Sequence, residues 1–150
     1  MAISSEDRLR LLEDERDILR TLYMYGHAID YGYEADYADC WTEDAELSWP
    51  ARETLKGLAE ILSAFRAHTH APVAFHKHFV IEPLIRIAGD RANADSMFAR
   101  LDPYAGIPQI RSFGRYRDVL IRCPDGRWRF RERKAELEAK RPGTPSAATL

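Results

Sequence analysis

The hydrophobic pattern changes period once along the chain, and this change constrains the fold more than any other feature. Apolar residues recur at helical spacing from Ile18 to Ile29, which predicts one long amphipathic helix. Ser5 is the expected N-cap, and Gly32 marks the expected end. From Phe75 onward, β-branched and aromatic residues alternate with period two, which indicates strands. Helices followed by a curled antiparallel sheet predict an α+β fold, with the long helix covering one face of the sheet.

The segment between these two regions predicts shorter elements. A second helix is expected over residues 35–41, closing at an acidic turn at residues 42–44. The stretch AELSW reads as a short strand bounded by Pro50, and a third helix is expected from Leu58 to near His68. Such helices closing a bent sheet would leave a concave pocket, the default place for small-molecule chemistry.

Turn signals near residues 89–90, 103–108 and 124–126 divide the second half into three or four long antiparallel strands. The last strand, RWRFRER, alternates most clearly. Its arginines at alternate positions from Arg127 to Arg133 are expected on one face, with Trp128 and Phe130 on the other. The arginine row is either a phosphate-binding stripe or a solvated face neutralised by acidic helices.

The 150 residues, 45% of them hydrophobic and 31% charged, predict an ordinary soluble globular domain over residues 1–140. The tail at 141–150, RPGTPSAATL, has too little apolar content to pack and is expected to be mobile. No apolar run approaches the roughly 18 residues that span a bilayer, and MAISSEDRLR lacks an apolar signal core. A cytoplasmic protein without membrane contact is therefore expected.

Charge and cysteine content argue against nucleic acid as a partner and against a cysteine metal or redox site. Residues 1–62 carry six basic and fifteen acidic side chains, a balance of −9, whereas residues 100–134 carry ten and four, a balance of +6. The halves should attract each other, within a chain or between subunits. Nucleic acid is not an expected partner, because the whole chain has a net charge of −2. Cys40 and Cys123 have no metal-ligand or redox spacing and are expected to be separate thiols.

Two places carry residues suited to acid–base chemistry. Asp30 closes the apolar stripe of the long helix, and Tyr25 precedes it by five residues. A carboxylate buried there needs a partner, although Asp30 could instead be a solvated C-terminal residue. In FHKHFV, His76 and His78 share one face of a strand. Without a third ligand of suitable spacing a metal is not expected, and a histidine facing the cavity would suit a general base or acid.

The remaining candidates carry weaker signals. Asp102 ends a strand immediately before a proline, where an aspartate most often forms a turn. His27, His68 and His70 are expected to be surface or helix-end residues.

Taken together, these segments resemble the SnoaL-like branch of the NTF2-like superfamily, in particular its scytalone dehydratase, bile acid 7α-dehydratase and lindane dehydrochlorinase group. The resemblance covers about residues 6–134 and is carried by YGHAID, CWTEDAELSW, HKHFV and FGRYRDVLIRCPDGRWRFRER. It implies a cone-shaped fold in which a strongly curved antiparallel or mixed sheet wraps on N-terminal helices and encloses a pocket. It also implies a homo-oligomer, a trimer by preference or a dimer.

The resemblance further implies a catalytic set. It maps an aspartate–histidine pair onto Asp30 and His78, with His78 as the base, Tyr25 as hydrogen-bond donor to the oxyanion, and Asp102 as an acid if its pKa is raised. The lysine of lindane dehydrochlorinase is replaced here by Tyr25, which makes dehalogenation less expected.

The implied activity is a cofactor-independent dehydration of a hydroxylated cyclic, polycyclic or steroid-like small molecule. An apolar wall for a ring would come from Trp41, Trp49, Phe79, Phe98 and Tyr104, although an aromatic taken alone more often belongs to the core than to a pocket. Isomerisation or cyclisation would use the same set. A non-catalytic small-molecule-binding or assembly module also stays open.

Overall fold

The computed structural model describes residues 3–143. Within them the chain forms helices α1 (Ser5–Tyr31), α2 (Glu34–Asp39) and α3 (Leu58–Ala67), and strands β1 (Trp41–Ser48), β2 (Leu55–Lys56), β3 (Lys77–Ala88), β4 (Arg91–Tyr104), β5 (Ile107–Arg122) and β6 (Trp128–Lys140). The order of helices and strands confirms the α+β class. The predicted tail lies outside the described residues from position 144 onward.

Helix α1 begins and ends at residues whose chemistry favours helix ends. The Ser4 hydroxyl accepts a hydrogen bond from the backbone N–H of Asp7, so the N-cap lies one residue before the predicted Ser5. Gly32 has a φ of 78° and donates its N–H to the Ala28 carbonyl, which ends the helix where the sequence predicts.

The six strands form one curved mixed sheet in the order β2-β1-β6-β5-β4-β3. Strands β3 to β6 are antiparallel neighbours, and β1 runs parallel to β6. Helix α1 packs on β3 and β6, so the core lies between this helix and the inner face of the sheet. No helix among residues 3–143 is both long and apolar enough to cross a membrane.

The predicted second helix is too long. Helix α2 ends at Asp39, and residues 41–44, expected as the end of a helix and an acidic turn, belong to β1. The reason is pairing with β6, where the N–H of Phe130 donates to the Cys40 carbonyl at 2.8 Å and Trp41 lies beside Phe130. Such tertiary backbone bonds override a short apolar pattern that fits either structure. The short strand β2 was not predicted.

An irregularity in β6 corrects the predicted arginine face. Between the pairs Leu120–Phe130 and Val119–Glu132 one extra residue enters β6, so the following side chains change sides. Arg133 therefore lies inside, where it forms two hydrogen bonds of 2.8 and 2.7 Å with the carboxylate of Asp118.

The other arginines of this row meet acidic partners. Arg127 and Arg129 pair with Asp39, and Arg131 pairs with Asp44. For these three, the neutralised and partly solvated strand face is the correct interpretation. The opposed charges of the two halves also meet inside the chain, because Asp14 of α1 accepts hydrogen bonds from Arg122 and from the indole of Trp128.

Candidate functional site

Asp30 and His78 meet at the junction between α1 and β3. The Nδ1 atom of His78 lies 2.6 Å from Oδ1 of Asp30, and the backbone N–H of His78 donates to Oδ2 at 3.0 Å. Both residues are buried, with 4% and 7% of their surfaces exposed. Gly26 permits this close approach, since a Cβ there would lie 2.7 Å from the His78 carbonyl oxygen.

The carboxylate fixes the tautomer of His78. An ionised carboxylate only accepts hydrogen bonds, so Nδ1 carries the proton in this contact and Nε2 carries the basic lone pair. The second bond, to the backbone N–H, holds the carboxylate in the same orientation. This pair has the chemistry of a general base whose orientation and tautomer are fixed.

Tyr25 lies beside the pair, inside the core. Its ring stands edge-on to that of His78 with centroids 6.5 Å apart, and the Arg133 guanidinium lies 4.2 Å from its ring centre. Burial raises the pKa of Tyr25 more than the nearby Arg133 lowers it. The phenol therefore keeps its proton at neutral pH and can donate it in a hydrogen bond.

Asp102 belongs to a polar cluster with His76, Arg100 and Arg111. Its carboxylate lies 2.8 Å from Nη1 of Arg111, 3.0 Å from Nδ1 of His76 and 3.4 Å from Nε of Arg100. Burial alone would raise the pKa of Asp102, but these partners lower it to about 2. These partners favour the charged form of Asp102, which argues against service as an acid, and its catalytic role stays a prediction.

His76 shares the inner side of the sheet with His78 but has a different partner. Nδ1 of His76 lies 3.0 Å from Oδ1 of Asp102, and Nη2 of Arg100 lies 3.3 Å from the same nitrogen. Burial lowers the pKa of His76, against the effect of Asp102. Among residues 3–143, no group of three or more metal-ligating side chains has a geometry that could hold an ion.

His68 is the residue that the sequence interpretation missed. It directly follows α3, so it is a helix-end residue as predicted, but it is buried with 6% of its surface exposed. Its ring centre lies 5.2 Å from that of His76 and 6.0 Å from that of His78. Neither ring nitrogen of His68 has a hydrogen-bond partner among the described residues.

The sequence did contain a signal for this cluster. Four of the five histidines fall between positions 68 and 78. The fold gathers their rings, with His70 half-buried and bridging the carbonyl oxygens of Ile29 and Phe65. His27 is exposed, as predicted.

The five predicted wall aromatics separate into two groups. Trp41 and Phe98 are buried, and Trp49 is partly buried. Phe79 and Tyr104 are 45% and 54% exposed. Phe79 follows His78 directly in β3, so strand alternation turns it to the opposite face of the sheet. The structure therefore does not place Phe79 with the buried pair.

Comparison with known proteins gives one family match. The SnoaL-like domain profile matches residues 10–134. No curated protein sequence matches significantly.

Solved structures give close matches of fold. An NTF2-like protein with a cystatin-like fold from Novosphingobium aromaticivorans is 28% identical, with a TM-score of 0.82 over 95% of this chain and 91% of that one. A candidate scytalone dehydratase from the same species is 20% identical, with a TM-score of 0.74 over 92% and 93%. A Catenulispora acidiphila protein in complex with S-DNPA is 23% identical, with a TM-score of 0.70 over 82% and 92%. These similarities confirm the NTF2-like fold.

Proposed function

The chain belongs to the SnoaL-like family, and on that premise we propose that it is a cofactor-independent lyase that removes water from a hydroxylated cyclic carbonyl compound. The observation that carries the proposal is the buried hydrogen bond of 2.6 Å between Asp30 and Nδ1 of His78. A protein that only held a partner would not need an oriented, desolvated base beside its core.

In the first step, Nε2 of His78 takes a proton from the carbon next to the substrate carbonyl. The electron pair of the broken C–H bond moves toward the carbonyl oxygen and forms an enolate. The carboxylate of Asp30, 2.6 Å from Nδ1, stabilises the imidazolium that results.

The second step expels the hydroxyl group. The enolate pair re-forms the carbonyl and makes a carbon–carbon double bond, while the C–O bond to the hydroxyl breaks. The imidazolium of His78 returns its proton to the departing oxygen, which leaves as water. The ion pair of Asp102 with Arg111 favours its charged form, so we assign this transfer to His78 alone.

The enolate oxygen needs a hydrogen-bond donor in a dry environment. Tyr25 fits this role because burial keeps its phenol protonated and its ring is in contact range of His78. The buried rings of Trp41 and Phe98 favour a substrate that itself contains a ring. The similarity of the fold to a candidate scytalone dehydratase supports the same substrate class.

Isomerisation or cyclisation is the second candidate activity, because both begin with the same proton removal. A non-catalytic binding module is the third, and the Catenulispora acidiphila complex supports small-molecule binding in this fold. Product analysis separates the first two, and turnover itself separates both from the third.

We also propose that the protein is a cytoplasmic homo-oligomer, a trimer by preference or a dimer. Phe79, Met97 and Phe113 are exposed on the sheet face opposite His78, and the strand register places them close together. Apolar side chains grouped on one face are typical of subunit contacts. Light scattering of the purified protein would distinguish monomer, dimer and trimer.

The proposal is tested with a hydroxytetralone that carries its hydroxyl two carbons from the carbonyl. Loss of water converts it to a naphthol, whose fluorescence reports turnover. We expect the wild-type protein to form naphthol and His78→Gln to lose about 10²- to 10⁴-fold in rate, the range for loss of a general base. His27→Gln is the matched control, because His27 is exposed on α1. Equal rates for wild-type and His78→Gln would contradict the proposal.

A further inference from the structure

His68 has chemistry that neither its fold position nor the Asp30–His78 pair explains. It is buried, yet neither of its ring nitrogens has a hydrogen-bond partner among residues 3–143. Most buried polar side chains are hydrogen-bonded, because leaving them unpaired costs stability. Polar atoms that stay buried and unpaired in the free protein, despite this loss of stability, are typical of a site that contacts a ligand.

The position of His68 fits a group that works together with His78. Its backbone is fixed by the end of α3, where its N–H donates to the carbonyls of Ala64 and Phe65. Its ring centre is 6.0 Å from that of His78, so a substrate group that reaches one ring also lies near the other.

The charge state of His68 also fits a donor to an oxyanion. Burial is the largest cause that lowers the pKa of His68, to about 3, and repulsion from the Arg100 guanidinium and from the neighbouring histidines when they are protonated adds to it. The imidazole is therefore neutral at physiological pH and offers one N–H donor. The positive charge of Arg100, which disfavours an imidazolium at His68, favours a negative oxygen beside the ring.

We propose that His68 contacts the substrate directly and donates a hydrogen bond to the carbonyl oxygen next to the carbon that His78 deprotonates. This inference rests on the proposed function and adds a second donor to Tyr25. It narrows the substrate to a ketone or aldehyde whose oxygen projects toward the end of α3. In the product, the same oxygen would be the phenol oxygen of a naphthol.

The first test measures binding of 1-naphthol by fluorescence, so it does not depend on turnover. His68→Leu introduces an apolar side chain that has no hydrogen-bond donor, whereas His68→Gln replaces the imidazole with an amide that still has an N–H donor. We expect His68→Leu to weaken binding about ten- to a hundredfold, and His68→Gln to recover most of it. In the wild-type protein, naphthol should also shift the ¹⁵N resonances of the His68 ring, a measurement that needs no variant.

Turnover of the hydroxytetralone supplies the second test. Loss of one oxyanion donor typically costs about 10²- to 10³-fold in kcat. We expect this loss in His68→Leu, partial rescue in His68→Gln, and no change in His27→Gln. The midpoint of urea unfolding of His68→Leu should not fall below that of wild-type, since the variant removes unpaired polar atoms. A structural role would instead lower that midpoint and leave naphthol binding per folded molecule unchanged.

The outcomes separate the two proposals. Naphthol binding that depends on His68, without any turnover, would overturn the lyase function and support the ligand contact. Turnover that persists equally in His68→Leu would overturn the contact and support the lyase. No binding of naphthol by the wild-type protein, or binding without a shift of the His68 resonances, would also overturn the contact.

Discussion

Replacing Asp30 with asparagine is expected to inactivate the base without removing any atom from the site. The Asp30 carboxylate accepts two hydrogen bonds from His78, from the ring at 2.6 Å and from the backbone at 3.0 Å. An amide has one accepting oxygen and one donating nitrogen. Since the backbone N–H cannot change its role, the oxygen stays with it, and the amide nitrogen faces Nδ1.

The ring of His78 must then change tautomer. Nδ1 accepts from the amide, and the proton moves to Nε2, which loses the lone pair that the reaction requires. We expect kcat for the hydroxytetralone to fall about 10²- to 10⁴-fold. The free energy of unfolding should fall by only about 1 to 2 kcal/mol, because the backbone N–H and Nδ1 of His78 both keep a hydrogen-bond partner and only the charge of the carboxylate is lost.

Three measurements check this prediction. Naphthol fluorescence gives kcat, urea unfolding gives stability, and ¹⁵N imidazole shifts give the tautomer of His78. Asp36→Asn is the matched control, because Asp36 is exposed on α2. Two results would contradict this prediction: Asp30→Asn keeps the Nδ1–H tautomer, or it changes tautomer and still turns over within about twofold of wild-type.

Three further predictions follow from the buried charges and thiols. Arg133→Met should destabilise the fold by about 3 to 5 kcal/mol in urea unfolding, because it leaves the fully buried Asp118 carboxylate without its partner. Adding Asp118→Leu should recover part of this loss. Equal stability of Arg133→Met and wild-type would contradict the prediction. The folded pKa of Asp102, about 2, lies below its ordinary 3.8, so its contribution to stability is present above about pH 4 and is lost as the pH falls toward 2. In Asp102→Asn, the urea midpoint should therefore depend less on pH between pH 4 and 2. The same pH dependence in Asp102→Asn and wild-type would argue against the cluster. Burial raises the pKa of Cys40 to about 12. A thiol reagent at pH 8 should therefore label only Cys123 in the native protein and both cysteines in urea. Rapid labelling of Cys40 in the native protein would refute its burial.

The sequence predicted those parts of the fold that depend on local periodicity. The apolar stripe of α1 and the glycine at its end are readable, because helix spacing and a left-handed cap leave direct marks in the sequence. The long strands after Phe75 are readable from their alternation and their turn residues. The start of β1 could not be predicted in this way, since it pairs with β6, which lies about 90 residues later in the chain.

The polar residues show the same division. The proximity of Asp30 and His78 could be anticipated from the family resemblance, which placed them 48 residues apart at a helix end and a strand start. The inward turn of Arg133 could not, because it depends on one extra residue in β6. The surroundings of Asp102 and His68 could not be predicted for a related reason, because other elements supply them. Arg111 and His76 contact Asp102, and three further histidines lie near the ring of His68.

Proton exchange at carbon tests the central claim most directly, because it isolates the first step from loss of water. A tetralone without the hydroxyl group is incubated with the protein in deuterium oxide, and proton NMR follows the signal of the carbon next to the carbonyl. The buried Asp30–His78 pair predicts that wild-type protein accelerates deuterium uptake at this carbon, and that His78→Ala and Asp30→Asn lose the acceleration. Uptake at the same rate with wild-type, both variants and buffer alone would contradict the account.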